Sequence, residues 1–231
     1  MRLALSLLIL VTSLTVAVAQ PRRIIILRHA EKANNYALCA LGQRRAEALA
    51  KEYLGKDAAN SLFGPGEAPA AMLAITLHPL ETITPAAQSW GLPVIDYSVV
   101  PGKNEDDDKE ALIDARTREA ARDVMTDPRY DGKIVVMVWE HKHIASKRLE
   151  KKSDDGPVTL RELLRIDHLE APKKWIDSNY DYFWVVDYAP GEKRATGFRM
   201  VKQAFTGAYA DLPSNDWDTP EPVHETQGCM R

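Results

Sequence analysis

The sequence predicts an α/β domain of three layers, with a mainly parallel central sheet flanked by helices. Three observations predict it. Strand-like and helix-like runs alternate along the chain. Two runs, "RIIIL" (23–27) and "KIVVMVW" (133–139), are continuously apolar, as in strands buried on both faces of a parallel sheet. Both runs lead into histidine-bearing segments, "LRHAEK" and "WEHKH", which places two charged clusters at one sheet edge. In open α/β sheets, ligands bind beyond the carboxyl ends of the strands.

The elements follow in order. Residues 1–19 read as a signal peptide. Arg2 is the only charge in residues 1–21, an apolar run follows, and Ala17-Val18-Ala19 has the small-x-small pattern of a cleavage site. The run is short for a spanning helix, and no later segment is long and apolar enough to cross a bilayer. The fold is therefore read as one domain over 20–210 and a polar tail over 211–231, expected to lie over the surface or be mobile.

After the strand at 23–27, residues 42–54 predict a helix. Ala46, Leu49, Ala50 and Tyr53 share a face, and Gly55 is a natural stop. Gly and Pro mark 61–70 as a loop. Residues 72–76 predict a strand and 79–90 a helix ended by Gly91, with Pro85 near its first turn or kinking it. Residues 94–97 predict a third strand, 101–110 an acidic solvated segment, 108–125 a helix, and 127–132 a turn. The strongest strand, 133–139, precedes a charged stretch whose later part reads as an exposed insertion. Thr159 and Glu162 form a capping box at the start of a short helix. Strands are predicted at 182–187 and 196–204, joined around Pro190-Gly191.

The chain has 231 residues and a formal net charge of −3, which argues against a general nucleic-acid binder. Its two cysteines, Cys39 and Cys229, lie too far apart in sequence for a Cys/His metal site. An oxidising compartment permits a disulfide between them.

Two histidines and an arginine at a sheet edge suit phosphoryl chemistry. A neutral imidazole is a good nucleophile toward phosphorus, and catalysis then depends on cationic donors around the phosphoryl oxygens. Arg28 offers a planar fork, Lys32 a point charge, and His141 a second donor. No metal is needed when side chains supply the charge. "EHKH" also reads as a ligand pair, His141 and His143, for a metal-dependent hydrolase, but no further ligands stand out at suitable spacing. The aromatics Trp175, Tyr180, Tyr182, Phe183 and Trp184 read as core.

At these residues the sequence resembles the histidine phosphatase superfamily, which includes the phosphoglycerate mutases. "LRHAEK" is similar to its Arg-His-Gly/Ala signature, and "LCALGQRRAEALA" (38–50) to the helix that follows. "HPLETITPAAQSWGLPV" (78–94) is similar to its second motif, "VVMVWEHKHI" (135–144) to the strand ending in a second histidine, and "WIDSNYDYFWVVDY" (175–188) to its closing pattern. The resemblance covers nearly all of the chain from residue 20 to about 190.

It implies a phosphoglycerate mutase-like fold and a metal-independent phosphatase without a cofactor. His29 matches the nucleophile, Arg28 the first phosphate-clamping arginine and His141 the second histidine. Two departures matter. His78 stands where the family has a second phosphate-binding arginine, and a histidine is charged only in acid unless its pKa is raised. No general acid matches, so Glu31, Glu140 and Glu105 or a neighbouring acid are the candidates. The expected partner is a phosphorylated small molecule or other phosphomonoester, with no nucleic acid and no membrane after signal cleavage. Localisation is expected to be secreted, extracellular or periplasmic. The alternative is a weak or inactive phosphatase-like module that binds an anionic ligand. The sequence leaves substrate and oligomeric state open.

Overall fold

Strands made of isoleucine and valine must be covered on both faces, and two helical layers cover them here. The computed structural model describes residues 20–99, 105–152, 156–219, 222 and 228–230. The predicted signal peptide lies outside the described residues, as do 101–104 of the acidic segment. Six strands form one sheet: β1 (Arg23–Arg28), β2 (Pro69–Ala74), β3 (Val94–Asp96), β4 (Ile134–Trp139), β5 (Tyr182–Asp187) and β6 (Gly197–Lys202). Their order is β3-β2-β4-β1-β5-β6. The first four in that order are parallel, while β5 runs antiparallel to β1 and β6 antiparallel to β5. The fold class is α/β, with a mixed, mainly parallel sheet flanked by helices.

The helices are α1 (Ala40–Leu49), α2 (Leu77–Trp90), α3 (Glu105–Thr126), α4 (His141–Ile144), α5 (Lys147–Lys152) and α6 (Leu160–Leu163). Strand side chains alternate between faces, so β1 splits its residues between two cores. Ile25 and Leu27 join Leu41, Leu49, Ile83 and Ala87 of α1 and α2. Ile24 and Ile26 join Ala120, Val124, Ile144 and Leu160 of α3, α4 and α6. The pairing of β1 with β4 ends at Arg28 opposite Trp139. His29 and Glu140 therefore leave the sheet side by side.

Several boundaries differ from those the sequence predicts. The first helix starts two residues early, at Ala40, and its last part, Ala50–Leu54, is wound as a π-helix. β2 begins at Pro69, inside the predicted loop, and its register shifts between Pro69 and Ala71. A proline is tolerated at the first residue of a strand. Pro85 lies well inside α2, so it gives no N–H to the carbonyl four residues earlier. In the charged stretch after β4, Lys147 and Arg148 are exposed but Leu149 is buried.

Gly42 and Arg45 explain why α1 sits where it does. A Cβ on Gly42 would lie 2.0 Å from the Glu31 carbonyl oxygen, so only glycine lets the helix approach that backbone. One turn on, the buried Arg45 guanidinium reaches the Glu31 carboxylate at 2.6 Å and Asp181 at 2.8 Å. It also donates to Gln203 Oε1 and the Pro213 carbonyl. Segments distant in sequence thus share one buried cation.

The described part of the tail is docked on the domain. Asn215 N donates to Asp181 at 2.9 Å, and the Trp217 ring lies 5.0 Å from that of Trp175. Cys39 and Cys229 are joined in a disulfide across a sequence separation of 190. Closing a loop that long removes about 5 kcal/mol of chain entropy from the unfolded state. Met230 N then donates to the Lys32 carbonyl at 2.8 Å.

Removing one partner of a buried ion pair leaves the others uncompensated. Arg45→Ala is expected to cost about 3–5 kcal/mol of stability, and Gly42→Ala about 3 kcal/mol by overpacking. Urea unfolding of both variants checks this. A loss under 1 kcal/mol in both would refute this account of the α1 packing.

Candidate active site

The site begins where β1 stops. His29 is buried, and its Nδ1 donates to the Ala30 carbonyl at 2.6 Å. That bond fixes the tautomer, so Nε2 carries the free lone pair. Ala30 N in turn donates to Thr82 Oγ1 at 2.9 Å, and Thr82 donates to the His78 carbonyl at 2.7 Å. Glu81, beside Thr82, accepts from Leu38 N at 2.8 Å. The "HPLET" segment at the start of α2 thus clamps the loop that carries His29.

Arg28 is buried with its guanidinium 4.0 Å above the Tyr180 ring. One Nη donates to the Asp177 and Asn179 carbonyls, at 3.2 and 3.4 Å, while its buried Nε has no hydrogen-bond partner. His141 opens α4, where the chain leaves β4 beside β1. Its Nε2 is 3.4 Å from Asp177 Oδ1, within ion-pair range but outside hydrogen-bond geometry, so both ring nitrogens are buried without a partner. Burial, then Arg28 and His29, push the His141 pKa down to about 2, which keeps it neutral.

Glu140 Oε2 lies 3.6 Å from His29 Nε2, and Glu140 Oε1 accepts from Thr76 Oγ1 at 2.7 Å. Burial alone would raise this carboxyl, but the contact with His29 and the hydrogen bond from Thr76 hold it well below the usual range. Glu140 is therefore a carboxylate at neutral pH, a base rather than a resting acid.

His78 stacks near His29, with ring centres 5.4 Å apart. Its Nε2 donates to the Asn34 carbonyl at 2.8 Å. Burial, then His29, lower its pKa, so it is neutral and has its N–H already committed. Lys32 is lowered by burial first. It lines a cleft of about 320 Å³ with Tyr36, Thr76, Leu77, His78 and Glu140. A wider surface concavity over α3, lined by Arg118, Glu119 and Arg122, holds no histidine.

His29, Arg28, His141, His78, Lys32 and Glu140 are thus gathered at one sheet edge. Glu31 is not: it turns away into the buried ion pair with Arg45, which takes it out of the place of a general acid. The side chain of Glu105 lies outside the described residues. His143 is also turned away, its Nε2 donating to Asp114 at 2.7 Å, so it shares no ligand set with His141. Among the described residues, the group that can hold a metal is instead His29, Glu140 and His141, whose ligating atoms lie within 4.8 Å of one another. Sequence reasoning missed Thr82, Thr76, Asp177 and Tyr180. Trp175, Phe183 and Trp184 are core, but Tyr180 underlies Arg28.

No protein-family model matches the sequence, and no curated protein matches it. Solved structures do. One titled mycobacterial hydrolase 2 is 17% identical, with 83% of this chain and 94% of that chain covered and a TM-score of 0.45. The native mycobacterial glucosyl-3-phosphoglycerate phosphatase is 15% identical, covers 80% and 100%, and also scores 0.45. Mycobacterial hydrolase 1 is 16% identical, covers 80% and 99%, and scores 0.44. At these identities and scores, neither the family nor the activity of this chain follows from them.

The buried histidines make stability acid-sensitive. His78, His141 and His143 all have folded pKa values below the unfolded one, burial being the first cause in each. The unfolded chain takes up protons first, so stability is full above about pH 6.5 and falls as pH drops. Each group contributes up to about 1.4 kcal/mol per pH unit until its own folded pKa is passed. Urea midpoints measured from pH 7.5 to 5 should fall, and His78→Gln should flatten the slope. A midpoint constant over that range contradicts the assignment.

Proposed function

We propose that the protein is a metal-independent phosphatase that hydrolyses phosphomonoesters through a phosphohistidine on His29. The observation that carries this reading is a set of buried groups without partners around one lone pair. Arg28 Nε and both His141 nitrogens have no hydrogen-bond partner, and His29 Nε2 is kept as an acceptor by the Ala30 bond. Buried polar groups are nearly always paired in native proteins, so such donors beside a nucleophile fit a phosphoryl group.

In the first step His29 Nε2 attacks phosphorus, the N–P bond forms, and the ester P–O bond breaks. Arg28 and neutral His141 donate to the phosphoryl oxygens, and Lys32 adds positive charge at the cleft. The amino end of α2, at Thr76 and Leu77, opens onto the same cleft, and its dipole favours an anion. An aryl oxide leaves without an acid, whereas an alkoxide takes its proton from water. In the second step water attacks the phosphohistidine, Glu140 accepts the water proton, and the N–P bond breaks to free His29.

One observation favours a second reading, in which an anion binds without turnover. His78, which stands where the sequence resemblance expects a second arginine, is neutral and bonded to Asn34. Among the described residues lining the cleft, the remaining cations are lysines. The apolar segment over 1–19 and the disulfide support export, and we propose a secreted protein acting on phosphorylated small molecules.

Hydrolysis of an aryl phosphate from acid to neutral pH, with chelator present, tests the reading. Activity should survive the chelator and fall by at least ~10³ in His29→Ala. Equal activity in both proteins would put the chemistry elsewhere, and none in the wild type would favour the binding reading.

Glu140→Gln should slow turnover by about 10²-fold and let phosphohistidine accumulate in quenched reactions. Unchanged turnover would remove Glu140 from the second step.

A further inference from the structure

We infer that His29, Glu140 and His141 form a binding site for a zinc-class divalent ion, and that an ion there blocks phosphoryl transfer. The second half rests on the reading of His29 as nucleophile, and the first does not.

Two imidazoles and a carboxylate are a recurrent zinc donor set that leaves a fourth position open. Zinc–ligand bonds of about 2.0–2.2 Å put neighbouring ligand atoms about 3.4 Å apart in a tetrahedron. His29 Nε2 and Glu140 Oε2 are 3.6 Å apart already, and one ring nitrogen of His141 lies within 4.8 Å of both. A small rotation of the His141 ring closes the set, and nothing holds that ring, because neither nitrogen is hydrogen-bonded.

The surroundings orient the ligands as metal sites require. A ligating histidine normally donates its other N–H to a carbonyl or carboxylate. His29 Nδ1 does so to Ala30 at 2.6 Å. Thr76 engages Oε1 of Glu140 and leaves Oε2 for the ion. With an ion on Nδ1 of His141, its Nε2 would face Asp177 at 3.4 Å.

The charge nearby selects the ion. Arg28 stacks beside the cluster and Lys32 lines the adjoining cleft. These cations oppose any ion held by charge alone, which disfavours Mg²⁺ and Ca²⁺. Ions with strong bonds to imidazole nitrogen, such as Zn²⁺ and Co²⁺, overcome that opposition. Such an ion uses the lone pair of His29 Nε2. The same pair cannot also attack phosphorus, so occupancy and turnover exclude each other.

The test uses the full chain after chelator treatment. Calorimetry follows ZnCl₂ binding, and visible absorption follows CoCl₂, both without any reference to activity. The expected result is one ion per chain with tetrahedral Co²⁺ bands, and at least ~10-fold weaker binding in Glu140→Gln and in His141→Gln. Circular dichroism checks that both variants are folded. Aryl phosphatase activity of the wild type should fall in step with occupancy, recover with chelator, and ignore MgCl₂. Absence of Zn²⁺ heat and Co²⁺ bands in the wild type overturns the site, as does unchanged affinity in both variants. Activity that rises with occupancy overturns the blocking role and the metal-independent mechanism together. Binding as expected in a wild type with no phosphatase activity supports the site and sinks the proposed function alone.

Discussion

A guanidinium taken out of water must have its charge matched, and at Arg45 four separate segments do the matching. Glu31 and Asp181 supply carboxylates, Gln203 an amide oxygen and Pro213 a carbonyl. None of these groups could stay buried without the others. The contact fixes the residue two places after His29, while Thr82 fixes the one directly after it. The course of the chain past β1 is thus pinned twice, by α1 and by α2 on the same face of the sheet. The direction of the imidazole follows from that pinning, and the chemistry at the sheet edge depends on it.

The cluster at that edge is organised by burial more than by charge. His141 and His78 are neutral because water is excluded and cations are near, while Glu140 stays ionised against His29 and the Thr76 hydroxyl. In the proposed reaction such a site, with one arginine, relies on neutral donors and the start of α2. The groups that suit a phosphoryl oxygen also suit a soft cation, because an imidazole nitrogen is a donor in one tautomer and a ligand in the other.

Much of the sheet was legible in the sequence because its strands are buried on both faces and read as unbroken apolar runs. That same property put His29 and His141 at one edge before any coordinates were known. The strand over 69–74 was misplaced because its first residues, Pro69 and Ala70, carry loop chemistry, and a register shift absorbs them. Glu31 reads as a general-acid candidate, because its partner lies on the next helix and is brought there by Gly42. His143 was paired with His141 on the assumption of an extended chain. Residues 141–144 are helical, and positions two apart on a helix face nearly opposite ways. Tyr180 sat in an aromatic run that is otherwise core, and nothing in its spacing marked it as the platform for Arg28.

The disulfide between Cys39 and Cys229 brings the last described residues back to Lys32, one of the residues that line the cleft. A segment 190 residues away in sequence is thereby held at the rim of that cleft by a covalent bond. Reducing that bond would release the segment, so binding at the cleft measured in a thiol-containing buffer would describe a different rim.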